Sequence, residues 1–473
     1  MQHFDLVIIG TGSGNSIPSP ELEHLNIAIV EDNLFGGTCL NVGCIPTKMF
    51  VHPAELADAT RQGRALGVES ELTAVDWPGM RERIFSRIDA IEAGGRAYRQ
   101  GPECPNVSVF SGHGRFTGPR QLRVSLHDGG TEVLTADRFV LAAGSRAVVP
   151  PIDGLCEPGE TFHATDTLHT SDTIMRIAEL PKSIAILGGG FVAAEFAHIF
   201  ASFGTQVTQI VRGPGLLRHL DSDVSELFTQ QAAARYELLL ETRLTHVAAD
   251  GAGVVLGLEG PRGTESVTAE LLLVATGRQP NSDTLNVAAA GIEVDSQGRV
   301  LVDEFQRTTA EGVFALGDIS SAHQLKHVAN YEARVVQHNL IHPAAMMGAD
   351  RRFIPAAVFS EPQIASVGLT EDEAVSQGVP YVAKTQLYAD IAAGWAREDA
   401  GHFLKVLADP ATGKLLGAHV IGPDAATVIQ PLIHAMSFGQ RAHDVARGQY
   451  WIHPALSELV ENALLGLPAP TEP

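Results

Sequence analysis

Two stretches of this chain share one outline, and a chain that carries both has few folds open to it. The first starts with the apolar run DLVIIG at residues 5–10, passes through the glycine-rich TGSGNS and reaches a second run, IAIVE, that ends on Glu31. The second, SIAILGGGFVAAEFAHIFASFGTQVTQIVR, occupies residues 183–212 and reads as strand, glycine turn, helix and strand. Continuous β-branched runs suit parallel strands buried on both faces. A glycine turn after such a strand lets the pyrophosphate of a dinucleotide approach the backbone. One Gly-x-Gly match is weak. Two, each following a strand, predict two dinucleotide-binding units and two nucleotides.

Shorter pieces agree. RFVLAAGSRAVVPP and LLLVATGRQPN each read as a strand ending in Ala-x-Gly and a basic residue, at Gly144 and Gly277, and GVFALGDIS ends in Gly317-Asp318. After about residue 351 the texture changes to hairpin-like strands followed by helical stretches, which predicts an α+β C-terminal region, and the final GLPAPTEP reads as a frayed tail. A chain of 473 residues exceeds one ordinary core. Its net charge of -22 argues against nucleic acid or an anionic membrane as partner. The N-terminal apolar run is short, lacks a basic flank and reads as a strand, so a cytoplasmic protein is expected. In that compartment a disulfide is catalytic or redox-sensing more often than structural.

Of the four cysteines, Cys39 and Cys44 sit close together in FGGTCLNVGCIPTKMF. Structural zinc needs a second ligand pair, and Cys104 and Cys156 are too isolated to supply one. In a regular helix, residues five apart have Cα atoms about 8.7 Å apart. A disulfide tolerates about 6.8 Å. The two sulfurs could therefore bond only across a distorted turn, for which Gly36, Gly37 and Gly43 provide freedom. Chance proximity of two thiols is the alternative.

GGTCLNVGCIPTK resembles the redox-active disulfide signature of the flavin-dependent pyridine nucleotide-disulfide oxidoreductases, and with the two glycine motifs and the Gly317-Asp318 motif the resemblance covers nearly the whole chain. It implies an α/β protein with two Rossmann-like units, one for FAD and one for NADPH, and an α+β dimerisation domain. The implied division is residues 1–150 and 277–350 for FAD, 151–276 for NADPH and 351–473 for dimerisation. Gly10, Gly12, Glu31, Gly37, Thr38, Gly144 and Asp318 would hold FAD, with Glu31 on the adenosine ribose. Gly188, Gly190, Phe191 and Gly277 would serve the second nucleotide, Phe191 as an aromatic gate over its pocket. Arg212 and Arg218 stand where an NAD enzyme would carry an acid, and guanidinium suits a 2′-phosphate. Lys48 and Glu195 would form a buried ion pair beside the flavin. Cys44 would face the flavin and Cys39 would attack the substrate disulfide. In QYWIHPALSELVENALL, Pro454 suits the first turn of a helix, with His453 at its mouth and Glu458 behind it. The resemblance makes His453 and Glu458 the acid–base pair of the partner subunit's disulfide, so a homodimer is expected.

The first unit departs from the family's pattern. Its third glycine position is Asn15, and Pro18 and Pro20 follow, so a helix there must be short or late. Family members that reduce glutathione disulfide anchor its carboxylates partly with an arginine soon after this loop, and no lysine or arginine lies between Thr11 and Glu31 here. Mercuric and large thioredoxin reductases use a C-terminal thiol pair, and this chain has no cysteine after Cys156. A polar, uncharged thiol carrier fits better than an acidic one. Tyr450 and Trp451 are candidates to line its site or to fill an interface core. A lipoamide or glutathione reductase is the alternative within the family, and a non-catalytic flavoprotein dimer the alternative outside it.

Overall fold

The computed structural model describes residues 1–158, 160–251 and 253–471. Strands Gln2–Ile9, Ile27–Glu31, Val107–Gly118, Thr131–Leu141 and Val313–Ala315 form a parallel core sheet. Leu6 and Ile8 pack to one face and Val7 and Ile9 to the other, all buried, which is why the run has no polar alternation. One face is covered by Ala333, Val336 and Leu340 of the helix Lys326–Ile341. The far ends of Val107–Gly118 and Thr131–Leu141 leave this sheet to pair antiparallel with Gln121–Leu126.

No α-helix follows the first glycine loop among the described residues. Two single 3₁₀ turns, Gly14–Ser16 and Pro20–Leu22, take its place, and Ile17, Leu22 and Leu25 fill the space against the sheet. The prolines thus do more than shorten the expected helix; they replace it.

The second unit is a five-stranded parallel sheet in the order Glu237–Leu239, Gln206–Ile210, Ser183–Leu187, Leu271–Val274, Leu168–Thr170. Here the helix forms. Phe191–Ser202 starts at Gly190, and Ala193, at the third position of the glycine pattern, is fully buried and lets helix and sheet close up. The C-terminal region is a five-stranded antiparallel sheet, Ala356–Val358, Ile364–Gly368, Leu415–Ile421, Phe403–Ala408, Val382–Leu387, with Leu432, Leu459 and Val460 of its helices in the core. The fold class expected from the sequence is the one observed. The tail differs: Thr471 N–H donates to the Pro410 carbonyl at 3.1 Å, so it is tied down as far as it is described, and residues 472 and 473 lie outside the described residues.

Candidate active site

Gly36 and Gly37 have φ of 96° and 72°, a left-handed pair that turns the chain into the short helix Gly37–Asn41. The helix stops at Val42 and Gly43, and a new one, Cys44–Gln62, begins with Cys44 itself. Gly43 packs so closely that a Cβ there would lie 3.3 Å from Cys39 Cα and 3.0 Å from the Thr38 carbonyl oxygen. This break is the distorted turn that the spacing required. Both cysteines are free thiols here. The Cys44 thiol donates to the Cys39 sulfur, which with the charge of Lys326 holds Cys39 at about 7; burial opposes both. The same contact pushes Cys44 up. The contact thus favours the thiolate form of Cys39 over that of Cys44.

Lys48 lies one turn beyond Cys44, but the expected buried pair with Glu195 is not made. Lys48 Nζ is 3.2 Å from Glu55 Oε1 and 4.5 Å above the Phe359 ring, with its side chain 43% exposed. Glu55 stands two turns along the same helix and is within easy reach of a lysine. Glu195 Oε1 accepts instead from Phe359 N–H at 2.9 Å. Burial pushes its carboxyl up to about 7, against the pull of that N–H and of Lys48.

The residues expected to hold two nucleotides line open cradles. Gly10 has φ of 101°, and a Cβ there would strike the Ala142 carbonyl oxygen at 2.3 Å. Gly12, Gly144, Gly190 and Gly277 all face open space, with nothing within 4 Å of a Cβ position. Backbone bared in this way fits the close approach of a pyrophosphate or a ring. Gly37 touches Gly12, where a Cβ would lie 2.7 Å from Gly12 Cα, so Thr38 and the cysteine segment border the first cradle. Glu31 ends its strand as expected, and its carboxylate accepts from Thr11 N–H at 2.8 Å, from the Thr11 hydroxyl and from Asn33 N–H. Asp318 Oδ2 accepts from Ser145 Oγ at 2.6 Å, and Ser145 Oγ accepts from Arg278 Nε at 2.8 Å. Ser145 and Arg278, which reasoning from the motifs did not single out, directly follow Gly144 and Gly277.

In the second unit Gly188 has φ of 140° and crowds the Ala275 carbonyl oxygen. Phe191 is the first residue of its helix and 38% exposed. Arg212 and Arg218 are both exposed and flank Gly213, and neither has a carboxylate within 4 Å among the described residues. Two unpaired guanidiniums at this strand end suit a 2′-phosphate.

His453 Nδ1 is 2.7 Å from Glu458 Oε1, and Glu458 Oε2 accepts from Ala455 N–H at 3.2 Å. Pro454 does not open the helix as expected. The turn at residues 453–457 precedes it, and Glu458 is its first residue, with its carboxylate reaching back over the turn to Ala455 N–H. The His453 side chain is 70% exposed, and no hydrogen bond joins it to Cys39 or Cys44 of its own chain among the described residues. Trp451 turns inward, donating to the Ala446 carbonyl at 2.9 Å, whereas Tyr450 is fully exposed. Cys104 is buried and Cys156 half-buried. No group of three or more His, Cys, Asp or Glu among the described residues could hold a metal.

Comparison with known proteins agrees with this arrangement. The sequence pattern of the pyridine nucleotide-disulphide oxidoreductases matches residues 4–338, and that of their dimerisation domain matches residues 354–464. A mycothione reductase of Mycobacterium tuberculosis is 50% identical over 99% of this chain and 100% of its own. A dihydrolipoyl dehydrogenase of Mycobacterium bovis is 31% identical over 99% of this chain and 98% of its own. The HOCl-induced flavoprotein disulfide reductase RclA of Escherichia coli superposes with a TM-score of 0.83 at 26% identity, covering 98% of this chain and 99% of that one. With its cysteine pair, its two glycine cradles and its C-terminal sheet in the family's order, the chain belongs to the pyridine nucleotide-disulphide oxidoreductases.

Proposed function

We propose that this protein is an NADPH-dependent reductase of mycothiol disulfide that works through FAD and the Cys39–Cys44 pair. The observation that carries the reading is the helix break at Val42–Gly43, which sets the Cys44 thiol against the Cys39 sulfur and so favours the Cys39 thiolate. The substrate follows from the relative of full-length similarity and from the absence of any lysine or arginine between Thr11 and Glu31. Mycothiol, a cysteinyl glucosamine–inositol conjugate, presents hydroxyls where glutathione presents carboxylates.

FAD, held by the cradle of Gly10, Gly12, Glu31 and Asp318, would supply the two-electron chemistry that links NADPH to the sulfur pair. Cys39 thiolate attacks one sulfur of the substrate, forms a mixed disulfide and expels the first thiol, which takes its proton from His453 of the partner subunit. Glu458 fixes the tautomer of that imidazole. Cys44 then attacks the Cys39 sulfur, releases the second thiol and closes the Cys39–Cys44 disulfide. Two electrons leave the cysteines and two thiols leave the site. The protein acts as a homodimer, each subunit's His453 and Glu458 completing the other's site, in the cytoplasm. The division at residues 150, 276 and 350 is retained in this reading.

Cys39→Ser tests the assignment. NADPH should still bleach the flavin of this variant while disulfide turnover falls to background. Loss of flavin bleaching with intact Cys44 would overturn the division of labour between the sulfurs.

A further inference from the structure

The first glycine loop lacks the partner such a loop ordinarily has. A helix behind it would present free N–H groups and roughly half a positive charge to the pyrophosphate. Asn15, Pro18 and Pro20 replace that helix with 3₁₀ turns. Two cations from elsewhere in the chain reach the loop instead. Arg99 is fully engaged: Nε donates to Asn15 Oδ1 at 2.9 Å, one terminal nitrogen to the Asn15 carbonyl at 2.6 Å and the other to Cys104 Sγ at 3.5 Å. It clamps the loop and has little left for a ligand.

Lys326 differs. It is the first residue of the Lys326–Ile341 helix and is half-buried, and its Nζ donates to Ser13 Oγ at 2.9 Å. Ser13 Oγ in turn donates to Asn330 Oδ1 at 2.9 Å, so the hydroxyl is oriented to accept from the lysine. No carboxylate lies within 4 Å of Lys326 Nζ among the described residues, and Gly12 beside it faces open space. An uncompensated ammonium held at the mouth of an open glycine cradle calls for an anion. Its charge also reaches Cys39, which places it on the side where the two segments meet.

We infer that Lys326 is a cofactor-binding residue, whose ammonium pairs with the pyrophosphate of FAD and replaces the charge that the missing helix would have supplied. The inference rests on the proposed use of FAD. Flavin-free apoprotein, titrated with FAD and separately with riboflavin, tests it through quenching of flavin fluorescence. Lys326→Gln should weaken FAD about ten- to a hundredfold, as for loss of one charged hydrogen bond, and flatten the dependence of binding on salt. Riboflavin, which has no phosphate, should bind wild type and K326Q alike, and Lys326→Arg should keep most of the FAD affinity. Far-UV circular dichroism of each apoprotein checks the fold; if K326Q does not fold, Lys326→Met and K326R carry the same comparison. Equal FAD affinity in wild type and K326Q, or an equal loss for riboflavin, overturns the inference. Failure of the wild-type apoprotein to bind FAD would instead overturn the reading of the cofactor.

Discussion

The chemistry turns on a few side chains whose charge states the fold sets. The Cys39 thiol is held below its ordinary range by the contact with the Cys44 thiol, with help from Lys326. In the reduced protein, the rate of Cys39 alkylation should rise with pH around a midpoint of about 7, and Cys44→Ala should move that midpoint upward; an unmoved midpoint would place the cause elsewhere. Glu195 carries the opposite kind of shift. Its carboxyl, raised by burial to about 7, binds its proton more tightly folded than unfolded. It therefore favours folding at low pH, an advantage lost as pH rises from the ordinary carboxylate range through about 7. The melting temperature of apo Glu195→Gln, relative to wild type, should be higher at pH 8 than at pH 5, and a difference independent of pH would contradict this. At this scale the sequence was legible in part. The cysteines and the His453–Glu458 pair stand in short motifs that fix their neighbours. The partner of Lys48 was not legible, because the motif match pointed to Glu195 and only packing shows that Lys48 turns to Glu55. Lys326 was hidden for another reason: its partner Ser13 is 313 positions away.

Among the elements, the glycine cradles separate folding from binding. Gly12 and Gly190 touch nothing at a Cβ position, and neither has the positive φ that would make a side chain strained. Gly12→Val should leave the fold and melting temperature of the apoprotein nearly unchanged while abolishing FAD binding. Unfolding of G12V would show that the loop's openness serves packing instead. The strands were readable because unbroken β-branched runs have few other places to go. The second unit's helix was readable from its alanine-rich stretch after the glycines. The first unit's prolines announced an irregular element, yet not that 3₁₀ turns would replace the helix or that Arg99 and Lys326 would reach the loop from elsewhere in the chain.

In the whole molecule, charged contacts tie the parts together. Lys405, from the C-terminal sheet, is 1% exposed and pairs with Asp221 and Asp223 beside the second nucleotide sheet and with Glu371. Asp58, on the helix that starts at Cys44, meets Arg235 and Arg61, and Arg235 also donates to the Glu361 carbonyl. Such contacts tie the second nucleotide unit to the helix that starts at Cys44 and to the C-terminal sheet. In the proposed reading, His453, whose side chain is 70% exposed, serves the cysteine pair of a second subunit. Equal mixing of inactive Cys39→Ser and His453→Gln proteins, with exchange of subunits, should restore about a quarter of wild-type activity, since half the dimers gain one intact site. No recovery despite exchange would place His453 in its own subunit's site. The most direct measurement is the initial rate of NADPH oxidation by the purified protein with mycothiol disulfide, glutathione disulfide and lipoamide in parallel. Fast turnover with mycothiol disulfide alone is the expected result; preference for either of the others would contradict the assigned substrate.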